Sequence, residues 1–375
     1  MKKNASLALC LLINTIFCLA QSKPDRQQFI SIGDLKLESG AVLKDCRIGY
    51  HAYGHLNTTK TNGVLFPTWY GGTSRDIELN IAPWKAIDTT KYYLMIVDAL
   101  GNGVSTSPSN SAQQHGADFP MFSIRDMVES QHEMLTKKMG INHLRAVMGI
   151  SMGGIQTFQW AVSYPDFMDV LIPIVGSPQP SSYDLLLYNT YAKAIEMDSA
   201  FNHGRYKVNP PILVAKMILA LSSTTPAFVI KTIPREGAAP FMKQSENNNS
   251  KDWNDLYYQV KASMNHDISK GFNGSLKDAA AHIKAKMLIV SSKQDHLVNP
   301  TPAIEFSKLL PAKLIVLDSE LGHIAGNLED AGVKQAIKEL LDGYPGFKND
   351  TERARQAALP GRRVAQACGR AGGSH

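Results

Sequence analysis

Ser151 stands in the segment AVMGISMGGIQTFQW, with Gly149 and Gly153 two residues to either side and Gly154 following. This is the pattern of a nucleophile elbow, a sharp strand-to-helix turn that lifts a hydroxyl above the edge of a sheet. Glycine suits the flanking positions because so tight a turn leaves no room for side chains. The five-residue pattern also occurs by chance in bland glycine-rich turns. It gains weight here because an apolar run precedes it and a helical pattern follows. A serine hydroxyl needs a base to take its proton and an acid to orient that base. At such a site they follow in the order acid, then histidine, at the ends of later strands. The run MLIVSS leads into Lys293-Gln294-Asp295, and KLIVLD leads into Ser319-Glu320-Leu321-Gly322-His323. Asp295 is therefore the expected acid and His323 the expected base. His296 and Asp318 are the neighbouring competitors. A tetrahedral oxyanion also needs two backbone donors. The N–H of Met152 is the first, and the loop Thr68-Trp69-Tyr70-Gly71-Gly72 offers the Tyr70 N–H as the second.

Positioning these groups takes strands that end where the chemistry begins. Six short apolar runs have strand length and composition: Gly63–Pro67, Tyr92–Ala99, Leu144–Gly149, Val170–Val175, Met287–Ser291 and Lys313–Asp318. Helical patterns over Ile124–Met139, Gly153–Tyr164, Thr301–Leu310 and Val333–Leu341 lie between them. This alternation predicts an α/β protein, a mostly parallel sheet with helices on both faces. Residues 28–53 read as an opening antiparallel hairpin that turns near Glu38-Ser39-Gly40. Between Gly176 and Ala285 lie roughly 110 residues, too many for a plain connection. They carry helical patterns over Tyr183–Met197, Ile212–Leu221 and Trp253–Met264, and read as a helical lid. Ile212, Leu213, Met217 and Leu221 of that lid could line an apolar acyl pocket.

The ends of the chain read differently. Lys2 and Lys3 precede the apolar run Leu7 to Leu19, and Ala20 suits a cleavage site, so residues 1–20 are expected to be a secretory signal. The run is shorter than a bilayer span, so no stable membrane anchor is expected. The protein is then secreted or periplasmic, and of its 4 cysteines only Cys46 and Cys368 remain after cleavage. Residues 350–375 are rich in Ala, Gly and Arg without apolar periodicity, and are expected to form a disordered tail, native or foreign. Between them lie a first core part (21–176), the lid (177–284) and a second core part (285–349). The net charge of +6 belongs largely to the two ends: Lys2 and Lys3, and five arginines after position 352. A near-neutral body carries no electrostatic footprint for nucleic acid. The 11 histidines form no HExxH pattern and no paired cysteines occur, so neither a metal nor another cofactor is expected.

Longer segments carry a resemblance. LESGAVLKDCRIGYHAYG, KAIDTTKYY, FPMFSIRDMVESQHEML, GISMGGIQTFQWAVSYPD and DLYYQVKASMNHDIS resemble the homoserine O-acetyltransferase-like family of the α/β-hydrolase superfamily, from about Phe29 to Leu341. The resemblance implies an α/β-hydrolase fold with a helical lid and the same triad of Ser151, Asp295 and His323. Against the family pattern, three departures stand out. Family acetyltransferases usually read His-Gly-His-Asp around the catalytic histidine, and the acid contacts the homoserine amino group. Here the run is Leu321-Gly322-His323-Ile324. Lid arginines for the substrate carboxylate are replaced by Lys216 and Lys261. Ile150 stands in the elbow where the acetyltransferases often have glycine. An amino-acid zwitterion needs opposite charges at its two ends, and this site keeps at best the cationic half. Trp69, Lys216, Lys261 and Ile324 are the expected substrate-binding residues. The expected activity is hydrolysis of small acyl esters through an acyl-enzyme. The alternative is acetyl-CoA-dependent transfer to homoserine or a related alcohol. The expected partner is a small ester, and a homodimer is left open.

Overall fold

The computed structural model describes residues 27–248 and 250–343. The expected signal segment, the tail and Cys368 lie outside the described residues.

Strands β1 (Gln28–Lys36) and β2 (Val42–Tyr53) form the opening hairpin, and β3 (Gly63–Pro67) follows. Next come α1 (Ser74–Asn80), β4 (Tyr93–Val97), α2 (Ile124–Glu133), β5 (Leu144–Ile150), α3 (Met152–Ser163) and β6 (Met168–Ile174). The long insertion contributes α4 (Ser182–Glu196), α5 (Leu213–Ser223), α6 (Pro226–Thr232), α7 (Ala238–Asn247), α8 (Trp253–Met264) and α9 (Leu276–His282). The chain closes with β7 (Lys286–Ser292), α10 (Thr301–Ser307), β8 (Ala312–Leu317) and α11 (Ala331–Leu341). One sheet of 8 strands runs in the order β1-β2-β4-β3-β5-β6-β7-β8. The β1–β2 and β2–β4 pairs are antiparallel and all other pairs are parallel.

The inner strands are buried on both faces, so β3 is buried at every position, as are the Val and Ile residues of β5 and β6. That is why they read as continuous apolar runs rather than alternating ones. One core cluster contains Leu65, Val147, Met152, Phe158 and Trp160, and the other contains Phe66, Ile150, Ile172 and Leu340. The helical pattern over Ile124–Met139 is not one α-helix. The α-helix stops at Glu133, and Met134–Met139 forms a π-turn that ends at Gly140 in the left-handed region. The Thr136 hydroxyl donates to the His132 carbonyl inside that turn. The short α1 goes unseen in the periodicity because it has only 7 residues. A reciprocal cap between Thr73 and Asp76 holds its start.

The insertion splits between two environments. Tyr188, Tyr191, Ile195, Ile212, Trp253 and Val260 form a core of its own. Tyr258, Ala262, Ile268, Ala279 and Ala280 instead belong to the main core. α8 is thus the shared wall between lid and sheet, and the chain has rejoined the body well before β7 starts.

Candidate active site

The elbow is built by steric exclusion. A Cβ on Gly149 would meet the Gly153 carbonyl group at 2.4 Å, and one on Gly153 would meet the Pro67 oxygen at 2.4 Å. With both positions open, α3 passes close over β5 and Ser151 is driven to φ 59, ψ −122. A non-glycine residue in that region stores on the order of 1–3 kcal/mol of strain. The Ser151 N–H donates to the Ile174 carbonyl of the neighbouring strand, which helps hold the turn.

Ser151, Asp295 and His323 come together at the C-terminal ends of β5, β7 and β8. His323 Nε2 lies 2.8 Å from Ser151 Oγ, and His323 Nδ1 lies 2.7 Å from Asp295 Oδ2. All three residues are buried, with exposures of 7%, 5% and 8% in the order Ser151, Asp295, His323. Asp295 Oδ1 accepts the N–H groups of Leu297 and Val298, both at 2.8 Å. The loop carrying them is clamped in turn, because Asp184 of α4 accepts the Asn299 N–H at 2.8 Å. Asp184 also closes a reciprocal cap with Ser181 at the start of α4. Burial pushes the Asp184 carboxyl up, against the opposing pull of these donors.

The competitors are placed elsewhere. Asp318 is exposed and pairs with Lys293 Nζ at 2.9 Å. That hydrogen bond holds its carboxyl below the usual range. His296 makes no contact with Ser151 like that of His323.

The Met152 N–H opens α3, where the helix dipole favours negative charge. Among the described residues neither this N–H nor that of Tyr70 has a hydrogen-bond acceptor. The Tyr70 loop is braced from two sides. The Gly71 N–H donates to Gln259 Oε1 of α8 at 2.7 Å, and Gln259 Nε2 returns to the Leu100 carbonyl. Below it, Gln156 of α3 donates to the Thr68 carbonyl, and a buried run continues through Gln131 to the Trp160 indole. The Tyr70 hydroxyl donates to Leu256 O and reaches Tyr191 Oη. Burial raises the Tyr70 phenol well above its ordinary pKa, so it stays neutral.

Two cavities meet at Ser151. One, of about 40 Å³, is lined by Met152, Ile155, Tyr188, Tyr191, Ile218 and Val260, among others. The other, of about 400 Å³, is lined by Trp69, Ile81, Ile150, His323, Ile324 and Asn327, among others. Trp69, Ile150 and Ile324 therefore border the large cavity beside Ser151. Lys216 and Lys261 line neither cavity. Lys216 Nζ donates to the carbonyls of Ser245, Glu246 and Asn248, at and just beyond the end of α7. Lys261 Nζ sits 5.8 Å from the centre of the Tyr257 ring.

The lid face nearest Ser151 also differs from the expected one. Ile218, Leu219 and Ser222 of α5 line the small cavity, whereas Leu221 and Val214 are exposed. An almost wholly apolar helix has no polar side to mark which face points inward, so its periodicity could not decide this. Tyr188, Tyr191, Leu219 and Gln259 lie in the expected lid helices, but neither they nor Leu297 were singled out as site residues, because a helical pattern does not say which face meets the serine. The Ser181-x-x-Asp184 spacing, a helix-start signature, is a further signal that this region carries.

A family profile described as alpha/beta hydrolase fold matches residues 64–193. The chain is 32% identical over 332 residues to an ethyl acetate hydrolase from Pseudomonas veronii, covering 84% of this chain and 93% of that one. The structure of an acetylester hydrolase from Corynebacterium glutamicum superposes with a TM-score of 0.78 at 28% identity, covering 84% of this chain and 96% of that one. A homoserine O-acetyltransferase from Bacillus anthracis also superposes with a TM-score of 0.78, at 26% identity, covering 86% and 98% of the two chains. Sheet order, elbow and these likenesses together place the chain in the α/β-hydrolase superfamily, within the homoserine O-acetyltransferase-like family that holds both esterases and acyltransferases.

Proposed function

We propose that this chain is a serine-dependent carboxylic ester hydrolase acting on small acyl esters. The observation that carries the reading is the hydrogen-bonded run Ser151–His323–Asp295, opening on apolar space with Ile324 beside the histidine. Ser151 Oγ bonds to the ester carbonyl carbon as its proton passes to His323 Nε2, and the carbonyl electron pair moves onto oxygen. The N–H groups of Met152 and Tyr70 hold that oxyanion. Donors of this kind, already oriented, stabilise developing charge without reorganising. The carbonyl then re-forms, the bond to the alcohol oxygen breaks, and Nε2 returns its proton to the departing oxygen. Water repeats the sequence on the acyl-serine: its proton goes to Nε2, its oxygen joins the acyl carbon, and Ser151 leaves and recovers the proton. Asp295 remains ionised throughout and keeps the imidazole in the tautomer with hydrogen on Nδ1.

The second reading is acyl transfer, in which an alcohol such as homoserine takes the place of water. The likeness to homoserine O-acetyltransferases favours it. The surroundings of Ser151 weigh against it. Ile324 offers no carboxylate to an ammonium, and Lys216 and Lys261 are engaged away from both cavities. A zwitterion losing both charge partners there would forgo two charge-assisted contacts, each typically stronger than a neutral hydrogen bond. The test sets ethyl acetate and p-nitrophenyl acetate beside acetyl-CoA plus homoserine, all with the purified chain. Ester cleavage without homoserine-dependent thiol release is expected. Thiol release that depends on homoserine, at rates rivalling ester cleavage, overturns the esterase reading.

A further inference from the structure

The two cavities at Ser151 differ in size, about 40 Å³ for the narrow one against about 400 Å³ for the wide one. Their chemistry also differs in one decisive residue: His323 lines the large cavity and is absent from the lining of the small one. In ester cleavage by a serine and a histidine, the imidazole that received the serine proton hands it to the departing alcohol oxygen. The alcohol must therefore lie on the histidine side. That puts the alcohol in the large cavity and leaves the small one for the acyl chain.

Four residues border both spaces: Tyr70, Ser151, Leu219 and Leu297. Tyr70 is pinned by its hydroxyl contacts with Tyr191 and Leu256. Leu297 sits on the loop whose N–H groups Asp295 accepts, so a change there would disturb the acid itself. Leu219 projects from lid helix α5, and it also borders a third cavity of about 260 Å³ with Tyr191, Lys216 and Trp253. Its side chain is therefore the removable part of the wall. The small cavity offers an acyl chain little polarity. The Ser222 hydroxyl donates to Ile218 O, the Ser263 hydroxyl donates to Gln259 O, and the Tyr191 hydroxyl meets that of Tyr70. At about 40 Å³ the small cavity is the tighter of the two spaces, which suits a short acyl group. The large cavity presents Trp69, Ile81, Ile150 and Ile324, with Asn80, Ser223 and Asn327 as polar members besides Tyr70, Ser151 and His323.

Resting on the esterase reading above, we propose that this chain cleaves short-acyl esters of large apolar alcohols, and that Leu219 sets the acyl-length limit by walling the acyl cavity off from its neighbours. Each extra methylene forced into a filled apolar pocket changes kcat/KM by roughly tenfold or more. Removing the Leu219 side chain joins the acyl cavity to the spaces on its far side.

The test uses two series with the purified chain. In the acyl series, p-nitrophenyl acetate, butyrate and octanoate share one leaving group. In the alcohol series, ethyl and 2-phenylethyl acetate share one acyl group and leave as primary alcohols. Wild-type kcat/KM should fall at least about 100-fold from acetate to octanoate. It should rise about tenfold from ethyl to 2-phenylethyl acetate, as an aromatic body fills the large cavity. Leu219→Ala should raise the octanoate-to-acetate ratio at least about tenfold, and Leu219→Val, a milder change, should raise it by less. Circular dichroism on both variants separates a change of selectivity from a failure to fold, and the valine variant keeps the test open if the alanine variant unfolds. An octanoate optimum in the wild type, or ratios in both folded variants within twofold of it, overturns the proposal while ester cleavage itself still stands. Absence of any ester cleavage, with homoserine-dependent thiol release instead, removes the esterase reading and this inference with it.

Discussion

The sheet edge and the lid meet at Ser151 but are built under different rules. At the sheet edge, strand ends fix Ser151, Asp295 and His323, and backbone donors fix Asp295 itself. Changes of an ångström there would break the hydrogen-bonded run. The lid has its own small core and presents several large apolar side chains to solvent, among them Leu186, Val214, Leu221 and Ile230. What it offers the site is a set of walls: Tyr188, Tyr191, Ile218, Leu219 and Val260. The difference teaches that the hydrogen-bonded run belongs to the sheet edge, whereas the walls around it are shared: the lid lines most of the small cavity and the body most of the large one. The two are joined at α8, where Gln259 holds the Tyr70 loop, and at the His323 loop, where the Thr225 hydroxyl of the lid donates to the Glu320 carbonyl.

The largest effect should come from the sheet edge. Ser151→Ala should lower kcat for p-nitrophenyl acetate by on the order of 10⁶ while the thermal midpoint holds or rises. The rise would come from alanine removing a buried hydroxyl, although the strained backbone remains. Retention of more than a few per cent of activity would show that the nucleophile lies elsewhere.

Next in size is a contrast between two aspartates at the ends of neighbouring strands. Asp295→Asn should lower kcat by roughly 10⁴, since the imidazole loses the acceptor that sets its tautomer. Asp318→Asn should change kcat less than about twofold, since its carboxylate faces Lys293 in solvent, and exposed pairs of that kind contribute little. Equal losses in steady-state rates would move the orienting role away from Asp295.

A stability effect should appear where the lid docks on the sheet side. Asp255 of α8 accepts the N–H and hydroxyl of Ser109, and burial pushes its carboxyl up to about 7. A carboxyl raised in the folded state holds its proton there while the unfolded chain releases it from about pH 4 upward. The folded state then binds more protons than the unfolded one between about pH 4 and 7, so this group makes stability fall as pH rises through that window. The slope from one such group is at most about 1.4 kcal/mol per pH unit. Asp255→Asn should flatten the dependence of thermal midpoint on pH between about 4 and 7. Midpoint curves of the two proteins that run parallel across that range would exclude the effect.

The smallest effect sharpens the comparison inside the lid. Lys216→Met should cost about 1 kcal/mol of stability through the lost contacts to the end of α7. The KM for p-nitrophenyl acetate should stay within about twofold, because the ammonium is turned away from Ser151. A many-fold rise in KM for an acidic acyl ester, with neutral esters unaffected, would instead give Lys216 a part in binding.

Much of this division was legible from residue order. Gly149, Ser151 and Gly153 announce the elbow because the turn sterically demands glycine, and that demand is local. Asp295 and His323 could be named because parallel strands bring their C-terminal ends to one edge, so any residue just past a strand is a candidate. The six apolar runs marked the inner strands because burial on both faces forces continuous apolar sequence. The π-turn after Glu133 was not legible, since a helical period looks the same when the ladder slips by one residue.

Lys216 and Lys261 show where residue order stops. A lysine's type gives its charge, but its long stem lets the tertiary setting choose the partner, here a helix end and an aromatic ring. In α5, apolar residues occupy most positions, so only packing against α4, α7 and the His323 loop decided that Ile218 and Leu219 face inward and Leu221 outward. Ser151 was written in the sequence because its turn is a short-range backbone requirement, and Asp295 and His323 because each follows the end of a parallel strand. The cavity volumes and their partition came only with the tertiary structure, because they depend on how side chains far apart in the chain fill space together.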